Sequence, residues 1–411
     1  MSLLLTGATV IDGLGADPLP QGSVLVEDDR ITGLSVPSAP PDADLVDLSG
    51  LTLLPGLIDA HVHIGYSSEM RAMLNLDLSI AERAADIFRT LKETVEAGFT
   101  AVRDCGGIDH GVLRTVGRGL VPGPRIWACA SPIVQCGGHG HLGSPFLAPD
   151  ERYAFRVRGL TAVGKISDGA NEVRKAAREC FRQGATFLKM PVTGGVVSIA
   201  DSLSDTQFTI EEIAVAVQEA KARNTYVAVH AHNRAGIHNA VKAGVGCVEH
   251  GTGIDEPTAA MMAEGGVNLV PTLAIAQVMS ENFGQLGLAP EIKDRIGDTM
   301  QGMIDGLLAA RDAGVRVGSG SDLIGPNQNR RGLEIALKAK VLGAMAAIMS
   351  ATSVNAEIMG VADRLGSIEV GKLADLVAVD FDPLAEPDLF DDPSRVVLVV
   401  KGGRIVKDTR K

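Results

Sequence analysis

Residues 53–65 read LLPGLIDAHVHIG, an apolar run that stops at two histidines separated by one valine. Side chains along a strand alternate, so at a strand end His61 and His63 fall on one side while Val62 faces away. Two neutral imidazoles at that spacing can grip one borderline metal ion. An HxH on its own is a weak signal. Its weight comes from standing where a first buried strand should end.

Outward from this point, residues 57–361 repeat one pattern: helix, glycine, apolar strand. Ser79 with Glu82 and Thr209 with Glu212 have the spacing of capping boxes that open helices. Gly98, Gly184, Gly244, Gly265 and Gly314 each stand between a helical stretch and an apolar run, where a left-handed residue ends a helix. Repeated helix-to-strand units imply right-handed crossovers and a parallel sheet. No GxGxxG follows the first strand and no GxxxxGK[ST] occurs, which removes support for the usual open nucleotide-binding sheets. The expected fold is α/β, a closed (β/α)8 barrel. His61, His63, Arg103, Asp104, His139, Lys189, His230, His250 and Asp322 all follow apolar strand runs, and a barrel would bring such positions to its C-terminal mouth.

The flanks differ. Residues 1–56 carry LLLTGATVI, GSVLVEDDRITGL and DLVDLSG, and residues 362–411 carry KLADLVAVDF and RVVLVVKGGRIV, in which Gly402 and Gly403 suit a hairpin turn. Neither end has a long amphipathic helix to cover its strands, so both are expected to build one small β-sandwich domain beside the barrel.

Composition limits the partners. The 411 residues hold 38 Lys or Arg against 50 Asp or Glu, a net charge of −12, with no basic block. That argues against nucleic acid and anionic membranes and in favour of a small-molecule substrate. Five scattered cysteines without a CxxC pair read as reduced thiols in a cytoplasmic protein. The N-terminal stretch lacks the features of a signal peptide, and no run approaches the roughly 18 apolar residues of a membrane span. Homo-oligomerisation is compatible with the sequence, which locates no interface.

The remaining candidates fall at predicted strand ends. Lys189, in TFLKMPVTGG, would be costly as a buried ammonium and would repel a nearby metal. If its amine has reacted with carbon dioxide, the resulting carbamate is anionic and can bridge two metals; the other reading is a lysine that reaches solvent or pairs with Asp104. His230 and His232, in VAVHAHN, and His250, in CVEHG, add imidazoles. His230 is taken as the ligand because it directly ends the apolar run, leaving His232 to meet substrate. Asp322, in VGSGSDLIG, supplies a carboxylate. His110 and His238 read as structural, and Cys105 and Cys247 as small packing residues. Cys136 with His139 and His141 mimics a metal cluster only weakly.

Taken together, His61-Val-His63, Lys189, His230, His250 and Asp322 resemble the amidohydrolase superfamily over nearly the whole chain, and most closely its prolidase-like branch related to imidazolonepropionases. The resemblance implies two divalent metals, generally zinc, bridged by a carboxylated lysine and a hydroxide. His61, His63, Lys189 and Asp322 would hold the more buried metal, and Lys189, His230 and His250 the more exposed one. His139 matches a histidine that polarises the scissile carbonyl, with His141 able to exchange roles with it. Where some peptidases of this branch carry a tyrosine, this chain has His232.

Hydrolysis of an amide C–N bond follows, with Asp322 moving the proton from the nucleophile to the departing amine and His139 stabilising the oxyanion. The expected substrate is a dipeptide of Xaa-Pro or Xaa-Arg/Lys type or an N-acyl amino acid, its carboxylate met by Arg103, Arg234 or His232, with His139 and His141 as further substrate contacts. A urea, carbamate or cyclic amide is the runner-up, followed by heterocycle deamination and a non-catalytic metal-binding barrel.

Overall fold

In a computed structural model, residues 2–36, 40–68, 78–141, 156–196, 201–286 and 291–410 are described. The first three barrel strands, Leu57–Val62, Phe99–Asp104 and Arg125–Ala128, pair in parallel. So do the next four, Leu188–Pro191, Val227–Ala231, Cys247–His250 and Asn268–Val270.

Backbone hydrogen bonds close the ring at both seams. Thr186 N donates to Ala128 O (2.9 Å), joining the third and fourth strands. On the other side, residues 315–321 take the eighth position. Leu269 N donates to Arg316 O (2.9 Å), Ala60 N to Ser319 O (2.8 Å) and Asp322 N to His61 O (2.8 Å). This eighth segment is less regular than the sequence suggests, making a single parallel bridge at Val317 with Leu269. The expected barrel is therefore present, with its last strand reduced to an extended segment.

The strands are apolar on both sides because helices cover their outer faces while their inner faces fill the barrel. Helix Ile80–Glu96 shows the outer packing: Ile87, Leu91 and Val95 recur every four residues and are buried. Both capping boxes form, Ser79 with Glu82 and Thr209 with Glu212. Gly98, Gly184, Gly244 and Gly314 all have positive φ at helix ends. The expectation fails at Gly265, which keeps φ −76°, while its neighbour Gly266 takes the left-handed turn at φ 65°. A Gly-Gly pair leaves either residue free to do this, and the sequence does not choose.

Both chain ends enter one mixed sheet of eight strands. Thr52–Pro55 from the N-terminal part pairs in parallel with Ser2–Val10 and antiparallel with Leu376–Val379 from the C-terminal part. Strands Val396–Lys401 and Arg404–Asp408 join through a hairpin with Gly402 and Gly403 at φ 55° and 72°. One face of the sheet folds over a core of Leu3, Leu5, Val24, Val26, Leu376 and Leu398. The other face, through Leu54, Val377 and Val399, packs on Val95, Ile335 and Ile348 of the barrel helices. Among the described residues, no helix is long and apolar enough to cross a membrane.

Candidate active site

The C-terminal ends of the barrel strands bring the predicted histidines together. His61, next to last in its strand, is 1% exposed, and its Nε2 lies 3.5 Å from Asp322 Oδ1. His63 is one residue beyond the strand, yet its Nε2 reaches the same oxygen at 3.2 Å. Its Nδ1 is 2.8 Å from Gly106 O, which fixes the ring from behind. Asp322 and His250 both hold positive φ, 55° and 68°, unusual for residues with a Cβ. Such backbone turns cluster where a side chain must be aimed, and here both point into the same group. His250 Nδ1 lies 2.8 Å from Thr272 Oγ1 and 3.9 Å from Asp322 Oδ2. His230 Nδ1 lies 2.8 Å from His250 Nε2.

Two donor sets result, each with atoms within 4.8 Å of one another: His61, His250 and Asp322, and His230, His232 and His250. The choice of His230 over His232 at the sequence level is thus not forced by geometry. His232 stacks on His250 with ring centroids 4.8 Å apart, and its Nδ1 lies 2.9 Å from Thr252 Oγ1. His139 stacks on His230 at 4.1 Å, and its backbone N–H donates to Gln207 Oε1. His141 is two residues further along the loop, where its Nδ1 accepts from Gly137 N at 2.8 Å.

Lys189 is 4% exposed, and among the described residues its Nζ has no hydrogen-bond partner. It neither reaches solvent nor pairs with Asp104, whose oxygens accept from Ile64 N (2.9 Å) and Gly106 N (3.0 Å). Its charge acts on His61, His139, His230, His232, His250 and Asp322. An unsatisfied buried amine is expensive and calls for a missing partner.

Burial, reinforced by neighbouring positive groups, holds His230 and His250 well below the ordinary histidine range. His232 is pushed to about 3 and His139 to about 4, burial being the main cause in each. These rings are neutral and have lone pairs to give. Burial acts on His63 in the same direction, but its hydrogen bond with Asp322 and the charges of Asp322 and Asp104 outweigh it and raise the ring. Asp322 is pressed upward by burial and held low by His61, His63 and Lys189, so it stays anionic. Neutral imidazoles, one carboxylate and an unpartnered amine form a donor set suited to divalent ions.

One expected substrate contact, Arg103, is corrected. Arg103 is fully buried beneath the histidines, with Nε donating to Ala60 O and Nη2 to Glu249 Oε1, so its guanidinium is not offered to a ligand. Arg234, at the exposed start of helix Arg234–Ala243, pairs with Asp255 at 2.8 Å. His110 opens a helix and His238 lies 2.9 Å from Thr258 Oγ1, in keeping with structural roles.

Glu249 went unnoticed in the sequence, although a glutamate inside an apolar strand was a usable signal. Also missed was the group that holds the strand ends. Asp59 accepts from His61 N, Ser321 N and Ser321 Oγ, and from the buried Arg331. Arg331 in turn holds Gln328, whose Nε2 donates to His63 O.

The profile of the amidohydrolase family matches residues 52–406. The chain belongs to the amidohydrolase family. This amidohydrolase is 30% identical over 364 residues to an ochratoxinase of Aspergillus niger, an alignment that covers 86% of this chain and 75% of the relative. Its fold matches a prolidase crystallised with N-methylphosphonate-L-proline at a TM-score of 0.93, with 35% identity and all of both chains covered. It also matches a Xaa-Pro dipeptidase with bound methionine at 0.87, with 30% identity over 98% of this chain and 99% of the other. The family membership lies in the prolidase-like branch, and the donor sets make this amidohydrolase a metal-dependent hydrolase of amide-type C–N bonds.

Proposed function

We propose that this amidohydrolase cleaves the amide of a dipeptide, of Xaa-Pro or Xaa-Arg/Lys type, or of an N-acyl amino acid, using two zinc ions. The observation that carries this reading is Lys189, a buried amine with no hydrogen-bond partner among the described residues, amid histidines and Asp322. Carboxylation of Nζ would replace that unsatisfied amine by an anion able to join two cations. His61, His63, Asp322 and the Lys189 carbamate would hold one ion, and the carbamate with His230 and His250 the other. The ions, when bound, supply Lewis acidity and a hydroxide at neutral pH.

The chain's own groups do the rest. Asp322 is anionic and 18% exposed in its side chain, which suits it to accept a proton from the nucleophile and deliver it to the departing amine. His139, neutral and anchored through its backbone to Gln207, would donate a hydrogen bond to the carbonyl oxygen as charge develops there. His232, tied to Thr252, and His141 remain to meet the substrate carboxylate.

The proline in one similar structure's ligand and the Xaa-Pro specificity in the other's description favour an Xaa-Pro amide as the first substrate to test. One observation supports a second reading. With Arg103 buried and committed to Glu249, one of the two expected arginines is not offered to a carboxylate, so a carbamate or urea stays next in order. A panel of Xaa-Pro and Xaa-Arg dipeptides, N-acyl amino acids, carbamates and ureas, assayed with zinc, decides between them. Turnover confined to carbamates or ureas would reverse the order. Asp322→Asn should retain metal and lose 10²–10⁴-fold in kcat; normal turnover by that variant would remove Asp322 as the proton carrier. Cysteines free of disulfides and an acidic charge balance support a cytoplasmic setting as part of this proposal.

A further inference from the structure

Behind His61 lies a chain of charged and polar groups whose carboxylate and guanidinium are fully buried. His61 Nδ1 is 2.7 Å from Glu249 Oε2, and the two side chains are 1% and 0% exposed. The other carboxylate oxygen of Glu249 accepts from Arg103 Nη2 at 2.6 Å. Arg103, also 0% exposed, donates in addition to Ala60 O (2.5 Å) and the Tyr226 hydroxyl (3.1 Å). Its guanidinium lies 5.3 Å from the Phe187 ring centroid, which closes the pocket beneath it.

We infer that Glu249, held by Arg103, is a positioning residue that fixes the tautomer and tilt of His61 and thereby sets how tightly the cluster of His61, His63 and Asp322 binds metal. The inference rests on the metal-dependent reading above. A carboxylate paired with a guanidinium only accepts hydrogen bonds, so the proton of a neutral His61 must sit on Nδ1. Nε2 is then the lone-pair nitrogen, and it is the atom that faces Asp322. Backing by a carboxylate also makes the ring a stronger donor than backing by a neutral carbonyl. His63 has only the neutral kind, Gly106 O, so the two histidines of the HxH are unequal.

The geometry argues against two other roles. Glu249 and Cys105 lie near enough to His61 to suggest a third metal site. Both oxygens of Glu249 are already used, however, one by His61 and one by Arg103, so that group offers no free carboxylate oxygen. A purely structural ion pair would need no imidazole. Here the carboxylate divides its two oxygens between the arginine and the histidine.

The test titrates zinc alone into metal-stripped protein, by calorimetry, and records the absorption spectrum of the cobalt-substituted protein. In Glu249→Gln, a single amide oxygen must serve both Arg103 and His61. We expect a 10–100-fold weaker zinc affinity at one of the two sites and an altered cobalt spectrum, in a protein still folded by circular dichroism. Wild-type affinity and spectrum in the folded variant would overturn the inference, even if melting temperature fell. Should Glu249→Gln not fold, Glu249→Asp takes its place, since it keeps the charge but withdraws it from His61. Weakening of one site is again expected, and unchanged zinc affinity again overturns the inference. Wild-type protein that takes up no zinc would instead count against the proposed function.

Discussion

Gly195 sits against the ring of His139, and substituting it by alanine tests the oxyanion role without touching a candidate ligand. A Cβ at Gly195 would lie 3.2 Å from His139 Cγ and closer still to Nδ1 and Cε1. Carbon atoms are comfortable at about 3.5–4.0 Å, so the ring must retreat by roughly 1 Å. On one face it is stacked on His230, with centroids 4.1 Å apart and planes 16° from parallel, so retreat in that direction is blocked. The ring must swing with its glycine-rich loop. A displacement of about 1 Å in a group that stabilises the transition state costs on the order of 10²-fold, equivalent to about 2.7 kcal/mol in the barrier. Gly195 does not occupy the left-handed region, so alanine adds no backbone strain of its own, and any fall in melting temperature comes from moving the His139 ring. The assay is steady-state kinetics on the best substrate of the panel, with zinc content measured on the same preparation. The expected result is a fall in kcat at unchanged zinc occupancy. Wild-type kcat would refute the placement of His139 at the carbonyl, and loss of zinc in parallel would show that the ring acts through His230 instead.

Two further outcomes concern stability. Arg331→Met strands Asp59, which is 1% exposed in its side chain, and should destabilise the protein by about 3–5 kcal/mol, as denaturant unfolding would measure. Adding Asp59→Asn should recover part of that loss, and a single variant as stable as wild type would show that the pair holds nothing. The second concerns Glu334, buried beside Lys338 at 3.5 Å and accepting from Ala274 N. Burial raises its carboxyl from 4.5 to about 8, even though Lys338 opposes the shift. A group whose folded value is raised stabilises the fold fully below the unfolded value and loses that contribution as pH rises to the folded one. The Glu334 contribution should therefore decline between pH 4.5 and about 8. Lys338, lowered to about 8, acts in the opposite sense only above that value. Melting temperature against pH should show a shallower fall for Glu334→Gln; parallel profiles would exclude Glu334 as the cause.

Much of the site was legible because metal-binding chemistry uses few residue types, and these stood out against apolar strands. His61, His63, His230, His250 and Asp322 each end an apolar run, and a parallel barrel sends every such end to one mouth. Arg103 misled for the same reason. It also ends an apolar run, in strand Phe99–Asp104, but it turns down under the mouth to Glu249 and Tyr226. One residue's difference in where a strand stops decides whether a side chain lines the cavity or lies beneath it. The same ambiguity hid Glu249 beside His250, since both are buried and adjacent in one strand.

The sequence by itself determined the alternation of helices and strands, the β-rich ends and the kinds of donor residue, because hydrophobic periodicity, capping signals and donor chemistry are local properties of the chain. Only the tertiary structure decided which nitrogen of His61 faces Asp322, that Lys189 has no hydrogen-bond partner among the described residues, and that Arg103 supports the site from below. Those are relations among side chains from separate strands. Their distances follow from how the strands register and how the barrel closes, and no local pattern encodes either.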